Sequence, residues 1–195
     1  MENRGKKKQN FGVNNLSDNL LIYLFTKKFN QNQINYWIDF SGLLAIVRKQ
    51  HLAEFSDVDI SINSNDVKKI YQIIKGNKKI FSFNSEFISK IRKNKKITKT
   101  PMFITGKANP EIIEPPMIEF FINKITTKQI KKECKLAVGR HFYEKLPKKY
   151  CRSFNIIKYK GLSLSVPNYH EEYLEYLYGK SWKKKVEFWS YKPRL

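Results

Sequence analysis

The chain has 195 residues, long enough for one domain with a sizeable core. A hydrophobic content of 41%, an aromatic content of 14% and only eight Gly and seven Pro exclude a disordered or low-complexity chain. Lys and Arg number 38 against 17 Asp and Glu, a net charge of +21, and that field draws nucleotides, nucleic acid or an anionic membrane surface without choosing among them.

Residues 1–15 are polar, with a basic tip at Lys6-Lys7-Lys8, and read as a flexible basic N-terminus. The remainder, 16–195, reads as a single domain. Ser17 can cap a helix from Asp18 to about Phe29, with Leu20, Leu21, Leu24 and Phe25 on one face. The apolar run Leu20 to Phe25 is far short of the roughly 20 residues that span a bilayer, and no signal-peptide cleavage pattern follows it. Cys134 and Cys151 form neither a metal-type spacing nor a disulfide framework, which suits a reducing compartment and a cytoplasmic protein.

Asn30 to Asn35 is a polar linker. Tyr36 to Ile62 then reads as strand, tight turn at Ser41-Gly42, short helix, loop and strand. Its last strand carries Asp57 and Asp59 inside an apolar run of Val58, Ile60 and Ile62. Side chains on a strand alternate, so both carboxylates are expected on one face. Like charges so placed repel, unless a divalent cation sits between them. Asn63 to Asp66 breaks the strand and caps a helix with Val67, Ile70, Ile73 and Ile74 as its stripe, and Gly76 ends it.

Lys78 to Thr100 reads as short strands or an irregular insertion. Met102 to Thr105 is a strand, followed by a turn over Gly106 to Pro110. Met117 to Ile122 is another, with Glu119 alone among apolar neighbours. An unpaired charge is expensive to bury, so Glu119 either ends the strand in water or faces a cation. Thr127 to about Lys145 reads as a Lys-rich helix with Ile130, Cys134 and Val138 on one side. Phe154 to Tyr159 and Leu162 to Val166 read as a hairpin. Asn168 and Glu171 have capping-box spacing for a helix that buries Tyr173, Leu174, Leu177 and Tyr178 and ends at Gly179. The basic, aromatic tail from Ser181 packs partly back on the body.

These elements amount to an α/β (α+β) chain with an acid pair on one strand and a third acid on a later one. That set suits one or two magnesium ions held against a nucleotide's phosphates. Ser41-Gly42, before a helix N-terminus, can offer N–H groups to phosphate, and Arg48 at the far end of that helix is a further phosphate or carboxylate partner. His51 lies in the following loop, within reach of a substrate there. His141 and His170 have no metal spacing.

The same residues resemble the LicD/fukutin family of phosphotransferases. Ser41-Gly42-Leu43-Leu44-Ala45-Ile46-Val47-Arg48 is similar to its G-T-L-L-G-x-x-R block. Phe55-Ser56-Asp57-Val58-Asp59-Ile60 is similar to its acid-rich strand, and Ile118-Glu119-Phe120-Phe121 to its I-D-I-F strand. Val166-Pro167, Tyr173-Leu174, Tyr178-Gly179 and Trp182 resemble its V-P…Y-L…Y-G-x-x-W ending. The chain departs at Ser41-Gly42 for Gly-Thr, at Ala45 for Gly, at Glu119 for Asp, and in a loop after Arg48 one residue shorter.

The resemblance implies a nucleotidyltransferase-like mixed β-sheet flanked by helices, with a DNA polymerase beta-type palm core. It implies Mg2+ or Mn2+ as cofactor, with Asp57, Asp59 and Glu119 as catalytic metal ligands. Ser41, Gly42, Arg48 and His51 are the substrate-binding candidates. The implied reaction moves a phospho-alcohol, of phosphocholine or polyol phosphate type, from a CDP-linked donor to a glycan or glycolipid hydroxyl, with peripheral contact to an anionic membrane. Two rival readings stand beside it. One is a small nucleotidyltransferase acting on RNA or protein, and the other is an inactive basic binding module with nucleic acid as partner.

Overall fold

The computed structural model describes residues 28–50, 57–76, 81–83, 85–93, 102–106, 117–125, 129–135, 141–159 and 161–184, with the backbone alone at 57, 81–83, 85–86, 102–106, 117, 129–135 and 141–145. The expected N-terminal arm, nearly all of the first helix, the loop holding His51, the turn after Gly106 and the tail beyond 184 lie outside these residues.

Among the described residues the chain forms strand β1 (Tyr36–Ile38), helix α1 (Phe40–Val47), β2 (Asp57–Asn63) and α2 (Val67–Lys75). Then come β3 (Phe81–Phe83), α3 (Ser85–Arg92), β4 (Met102–Gly106), β5 (Met117–Ile125), β6 (Gln129–Lys135) and β7 (His141–Pro147). β8 (Phe154–Tyr159), β9 (Leu162–Pro167) and α4 (His170–Tyr178) complete it. The main sheet runs β1-β2-β5-β4-β3, with β6 paired to β5 and β7 to β6, while β8 and β9 pair separately. Of these pairings, β2 with β5 is parallel and the rest are antiparallel. The architecture is therefore mixed α+β.

The central pair is buried on both faces. Val58, Ile60, Ile62, Ile118, Phe120 and Ile122 are all in the core, and so are Asp59, Ser61, Glu119, Phe121 and Asn123 on the alternate positions. Helix α1 is buried from Phe40 to Ile46, as an all-round apolar helix must be. Its fit on the sheet depends on Gly42, where an added Cβ would meet Ile38 Cγ2 at 3.1 Å and Val58 Cγ1 at 3.2 Å. Gly42→Ala is expected to lower the melting temperature by a few degrees. Overpacking of about 1–3 kcal/mol outweighs the gain of about 1 kcal/mol that alanine brings to a helix. A thermal melt followed by circular dichroism measures it.

Helix α2 buries Val67, Ile70, Tyr71 and Ile74, and Asn63 caps the preceding turn by accepting the Asn65 N–H at 3.0 Å. Tyr36 in β1 is buried against the β8–β9 layer. Burial pushes its phenol up to about 12, partly offset by a hydrogen bond with the Ser165 backbone.

Three segments differ from the sequence-based expectation. Within Thr127 to Lys145 the described residues are not helical but form the antiparallel strands β6 and β7. β5 runs on to Ile125 and presents backbone groups that pair with Ile130 to Lys132, and this ladder overrides the helical spacing of Ile130, Cys134 and Val138. The Lys78 to Thr100 region holds a short strand as expected, β3, but it also contains helix α3, which places Phe87 in the core 6.3 Å from the Tyr71 ring. Asn168 does not cap α4. Its N–H donates to Ser153 O at 3.2 Å to close the β8–β9 layer, and the helix starts two residues later with no side-chain cap. Gly179 ends α4 at φ 81°, a left-handed backbone that suits a residue without Cβ.

Candidate active site

Asp59 and Glu119 stand side by side near the starts of β2 and β5. Parallel pairing puts Asp59 directly beside Glu119, one strand spacing of about 4.8 Å away along the hydrogen-bond direction. Both residues are 6% exposed. Asp57 lies two residues earlier on β2, opposite Met117, and its side chain is outside the described residues. Two neighbouring buried carboxylates are costly unless each has donors or a cation.

Asp59 has donors. Its Oδ2 accepts the Ser41 N–H at 3.0 Å and also the Ser41 hydroxyl. Ser41 thus holds an acid rather than forming an open turn, and Ser41-Gly42 lies inside α1 rather than ahead of it. The residue before the helix is Asp39, which the sequence reading passed over. Asp39 is fully buried. Its Oδ1 accepts from the Phe40 N–H at 2.9 Å and the Tyr173 hydroxyl at 2.8 Å. Its Oδ2 accepts from Trp37 Nε1 at 3.1 Å and from the Ser61 hydroxyl. Its own N–H donates to Asp59 O at 3.0 Å. An Asp just ahead of an apolar helix is an N-cap signal, and that signal was available in Asp39-Phe40.

Phe40, which opens α1, sits at φ 37°. A bulky residue there costs of order 1–3 kcal/mol. Its N–H bond to Asp39 and its ring against Phe121, 4.6 Å between centroids, oppose that strain. The turn it forces swings the Ser41 N–H onto Asp59. Asn123 holds the strand pair further along, donating from Nδ2 to Phe121 O at 2.8 Å and Ile62 O at 3.2 Å.

Arg48 is not brought to the acids. It caps the far end of α1, a helix of eight residues and so about 12 Å long. Its Nη2 donates to Lys184 O at 2.7 Å and to Trp182 O, clamping the turn after α4. Burial lowers the Arg48 pKa from its ordinary value, and Tyr178 nearby acts the other way. Arg48 lines a cavity of about 400 Å³ with Val47, Gln50, Glu171, Trp182 and Lys183. His51 lies outside the described residues.

Among the described residues no group of three or more His, Cys, Asp or Glu converges on a metal position. Asp59 and Glu119 nonetheless fit one in chemistry. They are hard oxygen donors, adjacent in register, buried, and crowded as like charges.

Residues 33–169 match the family model described as LicD/FKTN/FKRP, nucleotidyltransferase domain. The match spans most of the chain, which therefore belongs to the LicD/FKTN/FKRP family, and a transferase role comes with that membership. No curated protein matches the chain. Solved structures similar to it include the lincosamide antibiotic adenylyltransferase LnuA with lincomycin bound. That likeness has 12% identity and a TM-score of 0.49 over 81% of this chain and 82% of that one, too distant to carry an activity across.

Proposed function

We propose that the chain is a metal-dependent phosphotransferase that moves a phospho-alcohol from a CDP-linked donor to a hydroxyl of a glycan or glycolipid. The observation that supports it is the register pairing of Asp59 with Glu119, with Asp59 held by Ser41. Asp57, Asp59 and Glu119 would hold Mg2+ or Mn2+, which supplies neutralisation of charge on the reacting phosphate and the leaving nucleotide. Ser41 keeps Asp59 in one rotamer. Glu119 takes the proton of the acceptor hydroxyl as its oxygen bonds to phosphorus and the bond to the nucleotide breaks, releasing CMP. Arg48 acts at a distance, fixing the far end of the helix that carries Ser41.

A net charge of +21 suits an anionic donor and an acceptor at an anionic surface. No helix among the described residues is long and apolar enough to cross a membrane. A peripheral, cytoplasmic placement goes with this reading. The rival is a nucleotidyltransferase that uses triphosphates on RNA or protein. Incubation with Mg2+ and CDP-choline, CDP-ribitol, CTP or ATP separates the two. CMP release from a CDP-alcohol that rises with a glycan acceptor is the expected result, and turnover of triphosphates alone defeats the proposal.

A further inference from the structure

A second concave site lies apart from the acids. It is a cleft of about 510 Å³ lined by Lys148, Lys149, Arg152, Ser153, Asn168 and Tyr169. One wall is the turn Lys148–Cys151 with the two residues after it, and the other is the turn that leads into α4. Three cations fall within five residues, and among the described residues the lining contains no carboxylate.

The walls are fixed before any ligand arrives. Asn168 N–H bonds Ser153 O at 3.2 Å, joining the two walls. The Lys149 ammonium pairs with Glu172 in the first turn of α4 and lies 4.8 Å from the Tyr150 ring centroid. Tyr150 is buried against Tyr173 and Tyr176, at 5.3 and 5.6 Å between centroids. Arg152 is exposed and has no ion pair or hydrogen bond among the described residues. Tyr169 is 55% exposed, a large ring left open at the rim.

We propose that this cleft is a sugar-phosphate site. Arg152 and Lys148 take a phosphate that is not transferred, since a guanidinium grips phosphate through two parallel N–H bonds and an ammonium adds a point charge. Asn168 and Ser153 offer donors and acceptors to ring hydroxyls. The Tyr169 ring covers the apolar face of the sugar. The reacting phosphate belongs elsewhere, because the cleft has no acid to hold a metal. The cleft reaches the acids through a short relay. Tyr150 packs on Tyr173, the Tyr173 hydroxyl bonds Asp39, and the Asp39 N–H bonds Asp59 O. That the bound sugar phosphate is part of the substrate rests on the transferase reading, whereas the binding itself does not.

The test is titration of the full chain with glucose 6-phosphate and, in parallel, glucose and inorganic phosphate, without Mg2+ or nucleotide. Glucose 6-phosphate is expected to bind at least tenfold more tightly than glucose. Lys148→Ala with Arg152→Ala should remove that binding. Tyr169→Ala should weaken glucose 6-phosphate several-fold and leave inorganic phosphate unchanged. Arg152 and Tyr169 are exposed and Lys148 is half-buried, and a thermal melt checks that the variants fold. Asp59→Asn should bind glucose 6-phosphate like the parent, so failure of the transferase reading leaves this result standing. Equal binding by the double variant and the parent overturns the proposal. So does adhesion to phosphatidylglycerol vesicles through Lys148 and Arg152 with no sugar-phosphate binding, which would make this face a membrane contact.

Discussion

Asp39→Ala is expected to lower stability by about 3–5 kcal/mol, a large share of what a domain of this size possesses. The carboxylate is fully buried and accepts from the Phe40 N–H, Trp37 Nε1 and the Ser61 and Tyr173 hydroxyls. Removing it leaves those donors without an acceptor, at about 1–3 kcal/mol for each that cannot turn to water. Asp39→Asn should fall between, because one oxygen still accepts while the amide N–H2 opposes donors. Tyr173→Phe removes one bond and should cost about 1 kcal/mol. Urea unfolding followed by tryptophan fluorescence measures all three, and the order Ala, Asn, Phe in decreasing damage is the signature. An Asp39→Ala protein as stable as the parent would mean that the four donors are satisfied some other way.

The second large effect is on activity rather than stability. Asp59→Asn and Glu119→Gln should each reduce transfer by about 1,000-fold or more, the equivalent of about 4 kcal/mol of transition-state stabilisation. The fold should survive both changes. Asn at 59 still offers an oxygen to the Ser41 N–H and hydroxyl. Gln at 119 removes the repulsion between two buried neighbours, so metal-free Glu119→Gln should melt no lower than the parent. Turnover of the expected CDP-alcohol, alongside the melt, separates this pattern from that of Asp39. Full activity in either variant removes the acid pair from the chemistry.

Some of this was legible in the residues and some was not. The strand bearing Asp57 and Asp59 could be read because its apolar residues alternate with period two. Met117 to Ile122 could be read as a short, nearly continuous apolar run after Pro115-Pro116, and the family resemblance is shown by the match over 33–169. That Asp59 stands beside Glu119 could not be read, because register between strands separated by 60 residues is decided by packing and not by either strand alone. Strands β6 and β7 were hidden because Ile130, Cys134 and Val138 also fit a helix. Only the Asn123 to Ile125 end of β5, which runs on past its pairing with β4, decides for strand. Arg48 shows the limit of a motif. The residue is where the resemblance puts it, but its partners are carbonyls of Trp182 and Lys184, which no local pattern connects to it.

Those long-range partners set a schedule for the growing chain. Asp39 meets Tyr173, and Arg48 meets Trp182, each across 134 positions. At a synthesis rate of about 5–20 residues per second, roughly 7–27 s pass between the emergence of each residue and that of its partner. Throughout that interval the helix carrying Ser41 is anchored at neither end by the C-terminal segment, and Asp39 lacks one of its donors. The Asp59 site is therefore completed late, after α4 and the turn behind it have been made. A nascent chain halted before Tyr173 should be protease-sensitive at α1, and one extended past Lys184 should resist.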